Sequence, residues 1–167
     1  MLRLRPFRKN DAKYIIAWTN EPEEFYKWSA GILGEFPLTE QRMLEATSGR
    51  DSDEHYFPFT AFVENGPVGF FHLRVAGDNA NMLRFGFVII DPAKRNMGYG
   101  KQMLKLGLNF AFEVYGADAV NLGVFANNES AYKCYKSIGF EENGKCVDYE
   151  ICGNIWTDIE MEKRRRP

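Results

Sequence analysis

The stretch DPAKRNMGYGKQML, residues 91–104, sets a proline, the basic pair Lys94-Arg95 and two glycines ahead of an apolar run. Pro92 ends the strand-like run LRFGFVII (83–90), because proline lacks the N–H that the next ladder bond needs. From Gly98 the pattern is helical. Lys101, Lys105, Asn109 and Glu113 recur at every fourth position as far as Tyr115, leaving one narrow stripe for water, and Gly116 stops the helix. A helix with so little polar circumference must lie on a sheet. The run AVNLGVF (119–125) then reads as a strand. Strand, long helix, strand is a crossover unit, so the strands ending near Ile90 and Phe125 are expected to be parallel neighbours.

Upstream, the strand-like 57–63 meets Asn65-Gly66, a hairpin signal, with 68–75 as the partner strand. Leu2-Arg3-Leu4-Arg5 alternates like a short strand that Pro6 ends, and Asn10 or Asp11 can cap a helix carrying Ala12, Ile15, Ile16 and Trp18, with Pro22 just past its end. Residues 20–38 show no clean period and read as irregular. Thr39 opens a short helix reaching about Gly49. Downstream, a helix is expected over 128–138 with a stop at Gly139, and 140–149 and 154–163 form a closing hairpin around Cys152-Gly153.

The chain has 167 residues, 45% of them hydrophobic and 26% charged, which fits one soluble folded domain over 1–167. No stretch has the roughly 20 apolar residues a membrane helix needs, and the N-terminus lacks the apolar core of a signal peptide, so a cytoplasmic protein is expected. The net charge of -2 gives no footprint for nucleic-acid binding, the basic tail 163–166 reading as a solvated end. Cys134, Cys146 and Cys152 show no metal-ligand spacing and are expected to be reduced thiols, with no metal bound.

A helix N-terminus presents free backbone N–H groups and partial positive charge, which suit a phosphate. Glycines at 98 and 100 let a backbone close on such a group, and Arg95 and Lys101 add charge. The loop lacks the GxxxxGK[ST] of a P-loop, and its glycine repeat stops before GxGxxG, so both an ATP and a dinucleotide cradle lose ground, and a different nucleotide-binding enzyme draws little support from these motifs.

Arg95-x-x-Gly98-x-Gly100 after a strand ending in Asp-Pro resembles the GCN5-related N-acetyltransferase (GNAT) family. A second signature, Asn128-x-x-Ala131-x-x-x-Tyr135-x-x-x-Gly139-Phe140, follows at the family's spacing. The resemblance implies an α/β (α+β) fold: a mixed, mostly antiparallel twisted sheet of about six or seven strands with about four flanking helices, and a splayed parallel pair at the cofactor site. The opening segment and the closing run 158–161 look most like the ribosomal-protein N-terminal acetyltransferase branch.

By that resemblance the backbone of Asn96, Met97, Gly98, Tyr99, Gly100 and Lys101 holds the pyrophosphate of acetyl-CoA, with Arg95 at the entrance. Val88, Ile89 and Ile90 pair with the pantetheine arm like an added strand, and Asn128 contacts the same arm while serving as an N-cap. The implied reaction is direct attack of a primary amine, a protein N-terminus or a small molecule, on the thioester in a ternary complex. Tyr135, a phenol that stays protonated at neutral pH, is the expected proton donor to the leaving thiolate.

The acceptor of the amine proton is open, because the positions where relatives carry a carboxylate hold Gly123 and Arg84 here. A water chain, Glu35, Asp148, Glu150 and His72 all stay in view. The acidic excess of residues 20–54 (Glu21, Glu23, Glu24, Glu35, Glu40, Glu45, Asp51, Asp53, Glu54) has a solvated surface as its plain reading, and attraction of a cationic amine as its functional one, with Tyr26, Trp28 and Phe36 lining the same wall. The family fold also admits a non-catalytic CoA-binding module, and the protein is expected to be a monomer or homodimer.

Overall fold

The structure, a computed structural model, describes residues 1–50 and 53–166; Asp51 of the acidic segment lies outside them. Seven strands form one sheet: β1 (Arg3–Pro6), β2 (Tyr56–Val63), β3 (Gly66–Ala76), β4 (Asn79–Ile90), β5 (Ala119–Phe125), β6 (Glu141–Ile151) and β7 (Asn154–Arg164). The spatial order is β1-β2-β3-β4-β5-β7-β6, and only β4 and β5 run parallel. The mixed sheet expected from the sequence is therefore present. Five α-helices accompany it among the described residues: α1 (Ala12–Trp18), α2 (Pro22–Ser29), α3 (Glu40–Thr47), α4 (Tyr99–Asn109) and α5 (Glu129–Ser137).

Strand alternation divides the side chains between two faces. Phe71 and Leu73 of β3, Leu83 and Phe85 of β4, and Val120, Leu122 and Val124 of β5 are buried beneath α4 and α5. Helix α4 comes so close to the sheet that a Cβ on Gly107 would stand 2.8 Å from the Phe85 ring, so only glycine fits there without displacing the aromatic. The helix continues as a wider π turn over Phe110–Tyr115 and ends at Gly116, whose φ of 86° suits glycine. On the other face, Phe70 and Ile89 pack against Ile15, Trp18, Phe25 and Met43 of α1, α2 and α3.

Residues 22–29, expected to be irregular, form α2, the helix beyond the expected four. Pro22 stands at its first turn, where a missing N–H costs nothing, so this proline opens a helix besides following one. Phe25 and Ser29 form its buried face, and Ala30 ends it in the left-handed region. The closing hairpin turns at Cys152 and Gly153, both at positive φ, as a tight antiparallel connection requires.

Asp11 ties the first helix to the sheet edge. Its carboxylate accepts from both terminal nitrogens of Arg5 (2.6 and 2.8 Å), from the Arg8 N–H (2.9 Å) and from the Thr60 hydroxyl (2.8 Å). Burial by itself would raise its pKa, but these donors outweigh burial and hold it below the ordinary 3.8. That stabilisation is present above pH 3.8 and is lost as pH falls through the lower, folded-state value. Asp11→Asn should lower stability by about 2 kcal/mol at pH 7, a gap that narrows below about pH 4 in urea melts run across the pH range.

Candidate active site

Strands β4 and β5 pair only from Met82↔Ala119 to Arg84↔Asn121 and then part. Strand β4 stays bonded to β3 as far as Gly69↔Ile90, but its register shifts between the Phe70 and His72 pairings. Phe87 lies at this irregularity with φ 51°, a strained conformation for a bulky residue, and the bulge turns the strand away from β5. The edge of residues 88–90 that faces β5 is thereby left without a strand partner among the described residues.

A cleft of about 790 Å³ opens at the splay. Val88, Ile89 and Ile90 form one wall, and Arg95, Asn96, Gly98, Gly100 and Lys101 form its head, at the N-terminus of α4. Asn128 and Tyr135 of the next helix face the same space. Met97 and Tyr99 do not line it with their side chains, since Met97 is exposed and Tyr99 packs on the core. Asn128 caps α5, accepting from Ala131 N–H at 3.4 Å. Arg95 is bound to Glu24 of α2 at 2.9 Å, which ties the loop to the opposite wall.

Asn96 and Gly98 adopt positive φ (61° and 78°), the alternation that turns successive N–H groups toward one point. A Cβ on Gly100 would meet Ile90 at an ordinary 3.6 Å, so the protein's own packing does not demand glycine there. Lys94 and Lys133 also line the cleft. Lys94 belongs to the basic pair of the 91–104 loop, whereas Lys133, a turn into α5, carries no such signal in the sequence.

Tyr135 is buried, and its hydroxyl has no hydrogen-bond partner among the described residues. Burial raises its pKa above the ordinary 10, with the Cys134 thiol and the Asp158 carboxylate adding to the shift. The phenol is thus a standing donor that does not ionise at neutral pH.

A second cleft of about 770 Å³ lies on the α1–α3 side of the sheet and shares Lys27 and Trp28 with the first. Trp28 Nε1 is buried with no hydrogen-bond partner among the described residues. His72, Arg74, Arg84, Gly123 and Asp158 also line this cleft. A Cβ on Gly123 would stand 2.5 Å from Asp158 Oδ2, so the carboxylate of β7 fills the space that a side chain at 123 would otherwise take. Burial raises the pKa of Asp158, opposed by Arg84 and assisted by Glu160.

The other proton acceptors kept in view do not reach this place. Glu35, Asp148 and Glu150 are exposed and line neither cleft, and Asp148 accepts from the Thr157 hydroxyl at 2.7 Å. His72 is in the cleft, with Nδ1 3.3 Å from the Tyr56 hydroxyl and its ring against Gly86, but burial and then Arg74, Arg50 and Arg84 push its pKa down to about 3. A group so weakly basic does not hold a proton at neutral pH. Among the described residues of the acidic segment, only Glu45 lines the second cleft; Glu23 pairs with Lys27 and Glu24 with Arg95. Tyr26 lines neither cleft, its hydroxyl accepting from Phe36 N–H at 3.3 Å within the packed cluster.

With this geometry in hand, the acetyltransferase (GNAT) domain pattern matches residues 1–141. The chain belongs to the GNAT acetyltransferase family. Over 56 residues, 34% of the chain, it is 36% identical to the spermine/spermidine N(1)-acetyltransferase of Bacillus subtilis, an overlap of 37% of that relative's length. An uncharacterised Mycobacterium leprae protein is 40% identical over 57 residues, 15% of its own length. The chain thus spans well under half the length of these curated relatives. Among solved structures, the Vibrio cholerae spermidine N-acetyltransferase in complex with CoA and spermine superposes with a TM-score of 0.83 over 98% of this chain and 95% of that one, at 19% identity. A chimera of the same enzyme gives 0.81 at 20% identity. These likenesses fix the fold. The ribosomal-protein branch suggested by the two ends of the chain gains no support from them.

No helix among the described residues is long and apolar enough to cross a membrane, and they hold no cluster of metal-ligating side chains. The three cysteines are free thiols.

Neutral His72 gives the fold an acid sensitivity. Its folded-state pKa lies below the ordinary 6.5, so the unfolded chain binds the proton more readily, and stability falls as pH drops from 6.5 toward 3. The slope approaches about 1.4 kcal/mol per pH unit. His72→Gln should flatten that loss in urea midpoints measured between pH 7 and pH 4.

Proposed function

We propose that the chain is an acetyl-CoA-dependent N-acetyltransferase that moves an acetyl group to a primary amine by direct attack in a ternary complex, residues 1–167 acting as one catalytic domain. The observation that carries this reading is the single cleft at the β4–β5 splay, which gathers an unpaired strand edge, a basic helix N-terminus and the Tyr135 hydroxyl. An extended amide-bearing arm ending in phosphates matches that order of groups: edge N–H and C=O for the arm, then N–H groups and cations for the phosphates. Acetyl-CoA, when bound, supplies the activated acyl carbon and a thiolate leaving group.

The residues then have separable tasks. Val88, Ile89 and Ile90 offer backbone groups to the arm, with Asn128 across from them. Asn96 to Lys101, together with Lys94 and Arg95, take the phosphates. Asp158, over Gly123, receives the proton of the incoming ammonium. The amine nitrogen bonds to the acyl carbon and gives its second proton to solvent, the carbon–sulfur bond breaks, and the Tyr135 hydroxyl donates a hydrogen bond to the departing sulfur. Because burial raises the Tyr135 pKa, the phenol acts chiefly as a hydrogen-bond donor, the thiolate of ordinary pKa about 8.5 taking its final proton from solvent.

The Bacillus subtilis and Vibrio cholerae enzymes named above act on spermidine or spermine by their names, which makes a polyamine one member of the acceptor class to assay. A CoA-binding module without turnover would have no use for a phenol at the cleft wall, so the placement of Tyr135 favours the enzyme.

Two variants test this reading. Tyr135→Phe should lower kcat by about 10²-fold or more while CoA affinity by calorimetry is retained. Full activity of Tyr135→Phe would remove the phenol from the mechanism. Gly100→Ala should leave the thermal midpoint within a degree or so of the parent yet weaken CoA binding, because the added methyl has room against Ile90 and none against a phosphate resting on the N–H groups.

A further inference from the structure

The second cleft has an uneven charge pattern that bears on the acceptor, given the acetyl-transfer reading above. A row of side chains crosses its floor: Tyr56 of β2 opposite Arg74 of β3, opposite Arg84 of β4, opposite Asn121 of β5. Two like charges directly across an antiparallel pair repel, and a sheet carries such a pair only at a cost. Arg84 is offset by Glu160 at 3.1 Å, and Glu160 is held in turn by Asn121 Nδ2 at 3.0 Å.

Arg74 has no such relief among the described residues. Its only side-chain hydrogen bond among the described residues goes to the carbonyl of its neighbour Val75, at 3.3 Å, and none of the ion pairs there includes it. Burial lowers its pKa, with Arg84 and Arg50 acting in the same direction. Arg50, whose guanidinium stacks 5.0 Å over the Tyr56 ring, adds a further cation on the same side. Nearer the cofactor cleft the sign changes. The Asp158 carboxylate over Gly123 lies one side-chain row from the Arg84–Asn121 row, roughly 7 Å along the strand at about 3.3 Å per residue. Trp28, at the boundary of the two clefts, adds a buried indole N–H without a partner.

We propose that the acceptor is a compact primary amine that also bears an anionic group, its amine set at Asp158 beside the splay and its carboxylate or phosphate taken by the Arg74 guanidinium. The planar fork of arginine suits either oxyanion. A polyamine, cationic along its length, would lie against Arg74, Arg84 and Arg50 with, among the described residues, only Asp158, Glu45 and the already paired Glu160 to offset them.

The test compares matched amines in an assay of thiol release from acetyl-CoA: 4-aminobutyrate and its carboxamide, phosphoethanolamine and ethanolamine, and spermidine. The anionic member of each pair should show a kcat/KM about ten-fold or more above its neutral partner, and the better pair identifies the oxyanion as carboxylate or phosphate. Arg74→Gln should raise KM for the anionic amine by about ten-fold while leaving the neutral partner's KM and CoA affinity nearly unchanged, and Arg74→Lys should recover part of the loss. Where Arg74→Gln fails to fold, Arg74→Lys and the wild-type amine series carry the same comparison.

Preference for spermidine over both anionic amines, or no advantage of either anionic amine over its neutral partner, overturns the proposal. If no amine turns over, calorimetry of the anionic amines on the CoA-loaded protein decides. Binding that Arg74→Gln abolishes upholds this inference while the catalytic reading falls, and no binding removes the anion site itself.

Discussion

Everything distinctive in this molecule depends on the parting of β4 from β5 after the Arg84↔Asn121 pair. Two parallel strands that begin as neighbours and then separate leave backbone donors and acceptors without partners in the interior of a sheet. Such groups are costly to bury unsatisfied. The bulge at Phe87 holds β4 on β3 while turning it from β5, so the unpaired edge is enforced by the register of the antiparallel half. A ligand with peptide-like groups can complete the sheet there.

The splay also joins two environments. On one side lie the turn of Asn96 and Gly98 and the N-terminus of α4, with Lys94, Arg95 and Lys101 around it. On the other lie the Arg74–Arg84 row and Asp158. Trp28 and Lys27 wall both, which makes α2 the partition between the two clefts. The Asp158 carboxylate adds to the rise in the Tyr135 pKa across this region, the two groups being carried by elements that pack on β5: α5 from beneath, β7 at the edge away from β4. A chemical step that needs a donor and an acceptor of protons close together is served by two elements far apart in the chain.

Much of this was legible locally. The strand ending at Asp91-Pro92, the four-residue polar stripe of α4 and the Asn128 cap depend on neighbours within a few positions, and all appear where the pattern put them. Helix α2 was not legible, because Pro22 reads equally well as the end of one helix or the first turn of the next, and only the burial of Phe25 against α1, α3 and β3 decides it. The carboxylate proposed as proton acceptor, Asp158, is not visible in the sequence for a related reason. A scan along the chain sees glycine at 123 and finds no carboxylate, whereas the carboxylate arrives from residue 158 on the antiparallel neighbour.

Sequence alone determined the pieces whose physics is short-range: the phosphate-suited loop, the crossover unit, the helix stops at Gly116 and Gly139, and through their spacing the family. Tertiary structure alone decided which charges meet. Arg74 and Arg84 are ten residues apart in sequence but directly opposed in the sheet, Asp158 fills the space above Gly123, and most of the acidic segment faces away from the second cleft. Hairpin register depends on the turn together with the bulges and the packing of both faces of the sheet, and the shifts at Val75/Ala76 and Phe70/His72 are not written in the local pattern, so the charge layout of the second cleft follows from the folded sheet.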